Sequence, residues 1–193
     1  DCDQRPGGKP VMMRAIGLIE LTSIAKGLET ADAMLKAANV ELLEAKPICP
    51  GKYTVLVTGD VSAVQSAVDT GKAIGADAVI DDFILPNVHP AVILAIGSAA
   101  PVSDVRAVGV IETFSVASLI VAADTAAKAG NVELIEIRTG MGIGGKSFVV
   151  LTGDVSSVTA SVEAGVALAS DRGMLVEKVV IPSPHYQLKQ CIL

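Results

Sequence analysis

A lone cysteine between two prolines is the most chemically pointed feature of this sequence. The stretch Lys46-Pro47-Ile48-Cys49-Pro50-Gly51-Lys52 offers one thiol whose thiolate form binds metals. Pro47 and Pro50 each fix φ and remove a backbone N–H, and Gly51 permits a tight turn. A stiff loop projecting one sulfur suits a metal ligand. It equally suits a small, half-buried turn residue with no metal, and the residues alone leave both readings open. A Gly-rich stretch, Gly140-Met141-Gly142-Ile143-Gly144-Gly145, invites a nucleotide reading. A dinucleotide fingerprint has to lie between a strand and a helix, so that the helix N-terminus meets the pyrophosphate. This stretch falls between two predicted strands and reads as a flexible loop.

Other polar residues suggest less. Asp32/Lys36 and Asp124/Lys128 stand at i,i+4 on predicted helices, where a solvated pair is worth about 0.2–0.5 kcal/mol. His89 and His185 each follow a Pro-bearing turn and read as structural. Glu20 and Glu112 close equivalent strands in separate repeats, so they do not form a catalytic carboxylate pair. No Ser/His/Asp or Cys/His arrangement has support, and no enzymatic activity is expected.

The elements that must position Cys49 come in two copies. Ala15-Ile16-Gly17-Leu18-Ile19-Glu20 returns as Ala107-Val108-Gly109-Val110-Ile111-Glu112, and Lys36-Ala37-Ala38-Asn39-Val40-Glu41-Leu42 returns as Lys128-Ala129-Gly130-Asn131-Val132-Glu133-Leu134. Thr58-Gly59-Asp60-Val61-Ser62 returns as Thr152-Gly153-Asp154-Val155-Ser156, two residues later than the first matches require. The insertion lies between Glu136 and Gly145, so the copies diverge most in the turn that carries Cys49 in one and the glycines in the other. Functional loops on rigid frames are where such divergence is expected. Each copy predicts a strand over 14–21, a helix capped by Thr22 or Ser23 and running to about 38, and strands over 40–48 and 53–58. A helix capped by Asp60 to about 74 and a strand over 78–85 complete it. The order βαββαβ is the ferredoxin-like α+β plan, with two helices on one face of an antiparallel sheet. A short third helix is predicted over 89–96. The corresponding tail, residues 185–193, is truncated, which leaves open whether it folds the same way. The reading divides the chain into an N-terminal extension or added residues (1–12), a first domain (13–98), a linker (99–104) and a second domain (105–193).

Composition bounds the function. The chain has 193 residues, 51% hydrophobic but only 3% aromatic, with a mean hydropathy of +0.56. No apolar run reaches the roughly 18–20 residues of a membrane span, so the excess apolar surface is expected to meet other copies of the chain. The net charge is −6, with no Lys/Arg cluster and few aromatics, which excludes ordinary nucleic-acid binding. Three scattered cysteines, Cys2, Cys49 and Cys191, make no disulfide framework and point to a reducing cytosol. The polar start, residues 1–10, does not read as a signal peptide.

The Ala-x-Gly-x-Ile-Glu opening, the Asp-x-x-x-Lys-Ala-x-Asn-Val segment and the Ile-Pro-x-Pro-His ending resemble the bacterial microcompartment shell domain. Two tandem copies resemble the trimeric, tandem-domain shell proteins, and the lone Cys49 in its Pro-bracketed turn resembles the iron–sulfur-carrying members of propanediol-utilisation compartments. The resemblance implies a homotrimeric pseudohexamer that tiles edge to edge with other shell proteins. Its central pore would be lined by Pro47, Ile48, Pro50, Gly51, Gly140, Met141, Gly142, Ile143, Gly144 and Gly145. Lys36, Lys128, His89 and His185 would be edge contacts, although Asn87 and Ser183 stand where the family often has arginine. Three Cys49 thiolates at the axis would hold one [4Fe-4S] cluster with a non-cysteine ligand on the fourth iron, since such clusters need about three or four thiolates. The implied role is electron transfer across the shell or cluster supply, with internal redox enzymes as further candidate partners. A shell subunit with a plain metabolite pore and a soluble ligand-binding or regulatory trimer are the alternatives.

Overall fold

A computed structural model describes residues 14–96, 102, 104–140, 142 and 144–192. The expected extension, most of the linker, Cys2, Met141 and Ile143 fall outside these residues. The first domain runs β1 (Ala15–Leu21), α1 (Ile24–Ala37), β2 (Val40–Ile48), β3 (Lys52–Gly59), α2 (Val61–Gly75), a single 3₁₀ turn, β4 (Val79–Pro86) and α3 (Pro90–Ile96). The second runs β5 (Ala107–Thr113), α4 (Val116–Ala129), β6 (Val132–Arg138), β7 (Ser147–Gly153), α5 (Val155–Asp171), β8 (Leu175–Ile181) and α6 (Tyr186–Ile192). The strand orders are β2-β3-β1-β4 and β6-β7-β5-β8, antiparallel throughout. This is the ferredoxin-like plan twice.

The repeat extends to irregular features. The register of β2 on β3 slips between Leu42 and Glu44, and that of β6 on β7 between Leu134 and Glu136. Ser23 caps α1 by accepting from the Lys26 amide, and Ser115 caps α4 by accepting from Ser118. Asp60 and Asp154 occupy the N-cap positions of α2 and α5 without making the side-chain cap bond. The second repeat is also longer by two residues in its second helix: α5 has 17 residues against 15 in α2. The tail that the sequence left open is a helix: α6 matches the seven residues of α3. Its start is organised alike, with His185 Nδ1 accepting from the Gln187 amide as His89 Nδ1 accepts from Ala91. None of its residues is buried.

The first domain's helix-side core gathers Ile19, Leu21, Met34, Val55, Val57 and Val64. The opposite face of that sheet contributes Ile16, Leu18 and Leu56 to a second core, which runs through Val88, Val92 and Ile93 into α4 and the second sheet. The two domains therefore share buried apolar surface. Within each domain, β1 and β5 approach the helices at a glycine. A methyl at Gly17 would meet Val64 and Val68 at 2.7 Å, and one at Gly109 would meet Val162 at 2.7 Å and Leu151 at 2.8 Å. These are branched, buried side chains with little room to yield. Gly17→Ala and Gly109→Ala should each lower the unfolding free energy by about 1–3 kcal/mol, read by denaturant melts.

Candidate functional site

The Cys49 turn is short because β2 and β3 pair up to its rim. Ile48 faces Lys52 in the ladder, leaving Cys49, Pro50 and Gly51 to reverse the chain. The Cys49–Pro50 bond is cis and Gly51 sits at φ +77°. Cys49 is a half-buried free thiol. The equivalent turn between β6 and β7 is longer, and Gly140, Gly142, Gly144 and Gly145 all have positive φ, a conformation glycine adopts without the Cβ penalty. As expected, it lies between two strands.

These two turns touch. The Cys49 amide donates to the Gly140 carbonyl at 3.0 Å, and Thr139 Oγ1 donates to Glu44 Oε2 at 2.6 Å. Glu44 Oε1 in turn takes the Lys46 ammonium at 2.8 Å. A sequence reading singles out both turns, but it misses Thr139 and Glu44. A buried threonine beside a glycine turn carries no periodic signal.

A second set of expected residues meets at the seam between the domains. The Asp124 side chain, 7% exposed, accepts from the His89 amide at 2.7 Å and from Lys128 Nζ at 2.6 Å. Lys128 also donates to the Asn87 carbonyl at 2.7 Å, where Asn87 holds a positive φ of 52° that asparagine tolerates better than most residues. Around this polar knot, α4 turns Val116, Leu119, Ile120 and Ala127 into the shared core. The equivalent residues of the first domain lie open. Asp32 is 63% exposed and pairs with Lys36 at 2.6 Å. Leu28 is 56% exposed where its counterpart Ile120 is fully buried, and Leu42 is 44% exposed where Leu134 is 2%. His185 is exposed. One pair of the four expected edge residues is thus drawn together inside the chain, and the other pair is not.

Comparison with known proteins fits this doubled frame. The BMC domain family matches residues 15–88 and again 107–184. The chain is 50% identical over 174 residues to the bacterial microcompartment shell protein PduT of Citrobacter freundii, covering 90% of this chain and 95% of that protein. The chain belongs to the bacterial microcompartment shell protein family. A solved microcompartment protein from Desulfitobacterium hafniense DCB is 69% identical, with a TM-score of 0.91 over 93% of this chain and all of the other. The carboxysome assembly protein CcmO of Synechococcus elongatus is 30% identical over 185 residues, covering 88% of this chain and 65% of that protein.

In this shell protein a cleft of about 200 Å³ opens behind the Cys49 turn, lined by Glu20, Cys49, Lys52, Asp81, Phe114 and Gly145. Lys52 Nζ pairs with Glu20 at 2.5 Å, as Lys146 pairs with Glu112 at 2.8 Å. The two carboxylates that close β1 and β5 are thus tied to their own domains. Burial, and then the nearby Glu20 carboxylate, push the Asp81 carboxyl above its ordinary 3.8. Among the described residues, no group of three or more His, Cys, Asp or Glu side chains could hold a metal within one chain.

Two predictions follow from these charges. Removing the buried Asp124 carboxylate leaves the half-buried His89 amide and the Lys128 ammonium without their shared acceptor, so Asp124→Ala should cost about 1–3 kcal/mol in a urea melt. Because the fold disfavours ionised Asp81, stability should fall as pH rises from 3.8 through the raised native value. Asp81→Asn should therefore raise the melting temperature at pH 7 and leave it nearly unchanged near pH 3. Calorimetry at the two pH values reads this directly.

Proposed function

We propose that three copies of this chain close head to tail into a pseudohexameric disc of the microcompartment shell, and that the three Cys49 thiolates at its centre hold one [4Fe-4S] cluster. The observation that carries the ring is the unequal exposure of equivalent residues. The face of α4 that β4 and α3 cover inside the chain has an open twin on α1, formed by Ile24, Leu28 and Leu35. The covering elements have an open twin too: Val179 on β8, and Tyr186 and Leu188 on α6, are exposed. Each chain therefore ends in the half-interface that its own beginning lacks. Such heterologous contacts generate closed rings when the rotation closes. At that contact Asp32 would accept from the His185 amide, and Lys36 would reach the Ser183 carbonyl, as Asp124 and Lys128 do at the seam.

The ring accounts for the single cysteine. One chain offers no complete ligand set among the described residues, whereas a three-fold axis supplies three thiolates and leaves one iron for a non-cysteine ligand, water or a small solute. Bound there, the cluster would supply one-electron transfer across the shell. The chain's part is to hold Cys49 half exposed on a rigid turn, with Pro47, Ile48, Pro50 and Gly51 around it. The Gly140–Gly145 turn would form the alternate wall of the pore. Lys36 and Lys128, whose side chains are 74% and 44% exposed in the single chain, would present their remaining exposed surface to neighbouring discs at the rim, while His89 and His185 would serve the seams, where their amides meet Asp124 and Asp32. The protein would then lie in a cytoplasmic compartment shell.

Anaerobic reconstitution with iron and sulfide tests the cluster. The expected product is brown, carries one cluster per trimer, shows an electron paramagnetic resonance signal in one redox state, and loses both colour and signal in Cys49→Ser. A colourless trimer would leave the plain metabolite pore as the reading. Electron microscopy of the concentrated protein should show sheets or tubes. Discrete particles alone, also in the presence of other shell proteins, would favour a soluble ligand-binding or regulatory trimer.

A further inference from the structure

The turn of the second domain carries no cysteine, yet it packs against the one in the first. The Cys49 amide has its acceptor there, the Gly140 carbonyl at 3.0 Å. Pro50 has no N–H, so the tip of the Cys49 turn has few other handles. Gly140 is buried at φ +50° and has no room for a side chain. A methyl on it would stand 2.9 Å from Ile48 Cβ and Cγ2, and Ile48 is a core residue bonded directly to Cys49. The Gly140 amide donates to the fully buried Ser147 hydroxyl at 3.3 Å. On its other side Thr139, fully buried, donates to Glu44 at 2.6 Å, further back along the strand that carries the cysteine. Gly145 closes the remaining approach: a methyl there would lie 3.3 Å from the Cys49 carbonyl.

We propose that Thr139, Gly140 and Gly145 of the second domain are positioning residues for Cys49, fixing the distance of its thiol from the three-fold axis. This rests on the axial reading above and assigns the two halves of the duplication different tasks. The first supplies the sulfur and the second supplies the wall that locates it. Metal sites demand ligand positions within roughly 0.5 Å, set by such supporting contacts. The requirement is strongest here, because an error in one turn is repeated three times around the axis.

Cluster-free protein provides the test, so that the geometry is read without the metal. With Cys2 and Cys191 replaced by serine, a short three-armed maleimide should join three chains through Cys49. Gly140→Ala and Thr139→Val should each cut the yield of three-chain product at least several-fold while the trimer mass is unchanged. Thr139→Ser, which keeps the hydroxyl, should restore it. Gly109→Ala, which weakens the fold away from the turns, should leave the yield intact and separates positioning from general stability. Equal yields from the reference protein, Gly140→Ala and Thr139→Val would overturn the positioning role and leave the axial reading standing. Absence of three-chain product in the trimeric reference protein would overturn the axial reading itself, and the positioning role with it.

Discussion

Asp124 is a carboxylate taken out of water at the junction of two domains, and it is tolerated because both of its neighbours satisfy it. The His89 amide and the Lys128 ammonium converge on it at 2.7 and 2.6 Å. A buried charge with partners missing would be strongly destabilising, so the domain arrangement that keeps both partners on Asp124 is favoured along with the apolar core around it. The Cys49 turn and the Gly140 turn meet in the same domain arrangement that the seam and the shared core hold. The exposed Asp32 and Leu28 acquire meaning only by comparison with their covered twins, Asp124 and Ile120.

Much of the fold is legible in the residues. The doubled Ala-x-Gly-x-Ile-Glu motif marks β1 and β5, where alternate side chains enter two different cores and a glycine lets the helices approach. Ser23 and Ser115 announce their helices by capping them. The limits are equally physical. Helix α6 is hard to foresee, because a seven-residue segment with no buried face has no apolar period to detect; its sign is the histidine that follows the Pro-bearing turn in both copies. The chain also shows two divergent turns without showing that they touch. That contact depends on how one domain packs on the other, and no local pattern around Thr139 or Gly140 encodes it. Asp81 is similar: its carboxyl is held above its ordinary value first by burial and then by Glu20, its partner across paired strands and far from it in sequence.

Duplication makes this asymmetry possible. In a ring of identical single domains every turn around the axis would be the same, and a cysteine in one would be a cysteine in all. Two fused copies let one turn become short, proline-braced and sulfur-bearing while its neighbour lengthens into glycines. The frame is shared by the copies down to the register slips at Leu42 and Leu134, so each turn joins equivalent strands of its domain.

All of this turns on one chain's open α1 face receiving another chain's β8 and α6. Native mass spectrometry of the intact chain at micromolar concentration measures that most directly. A dominant species of three chains, each of 19.6 kDa, is the expected result. A monomer, or a dimer that gains no third chain as concentration rises, would contradict the account.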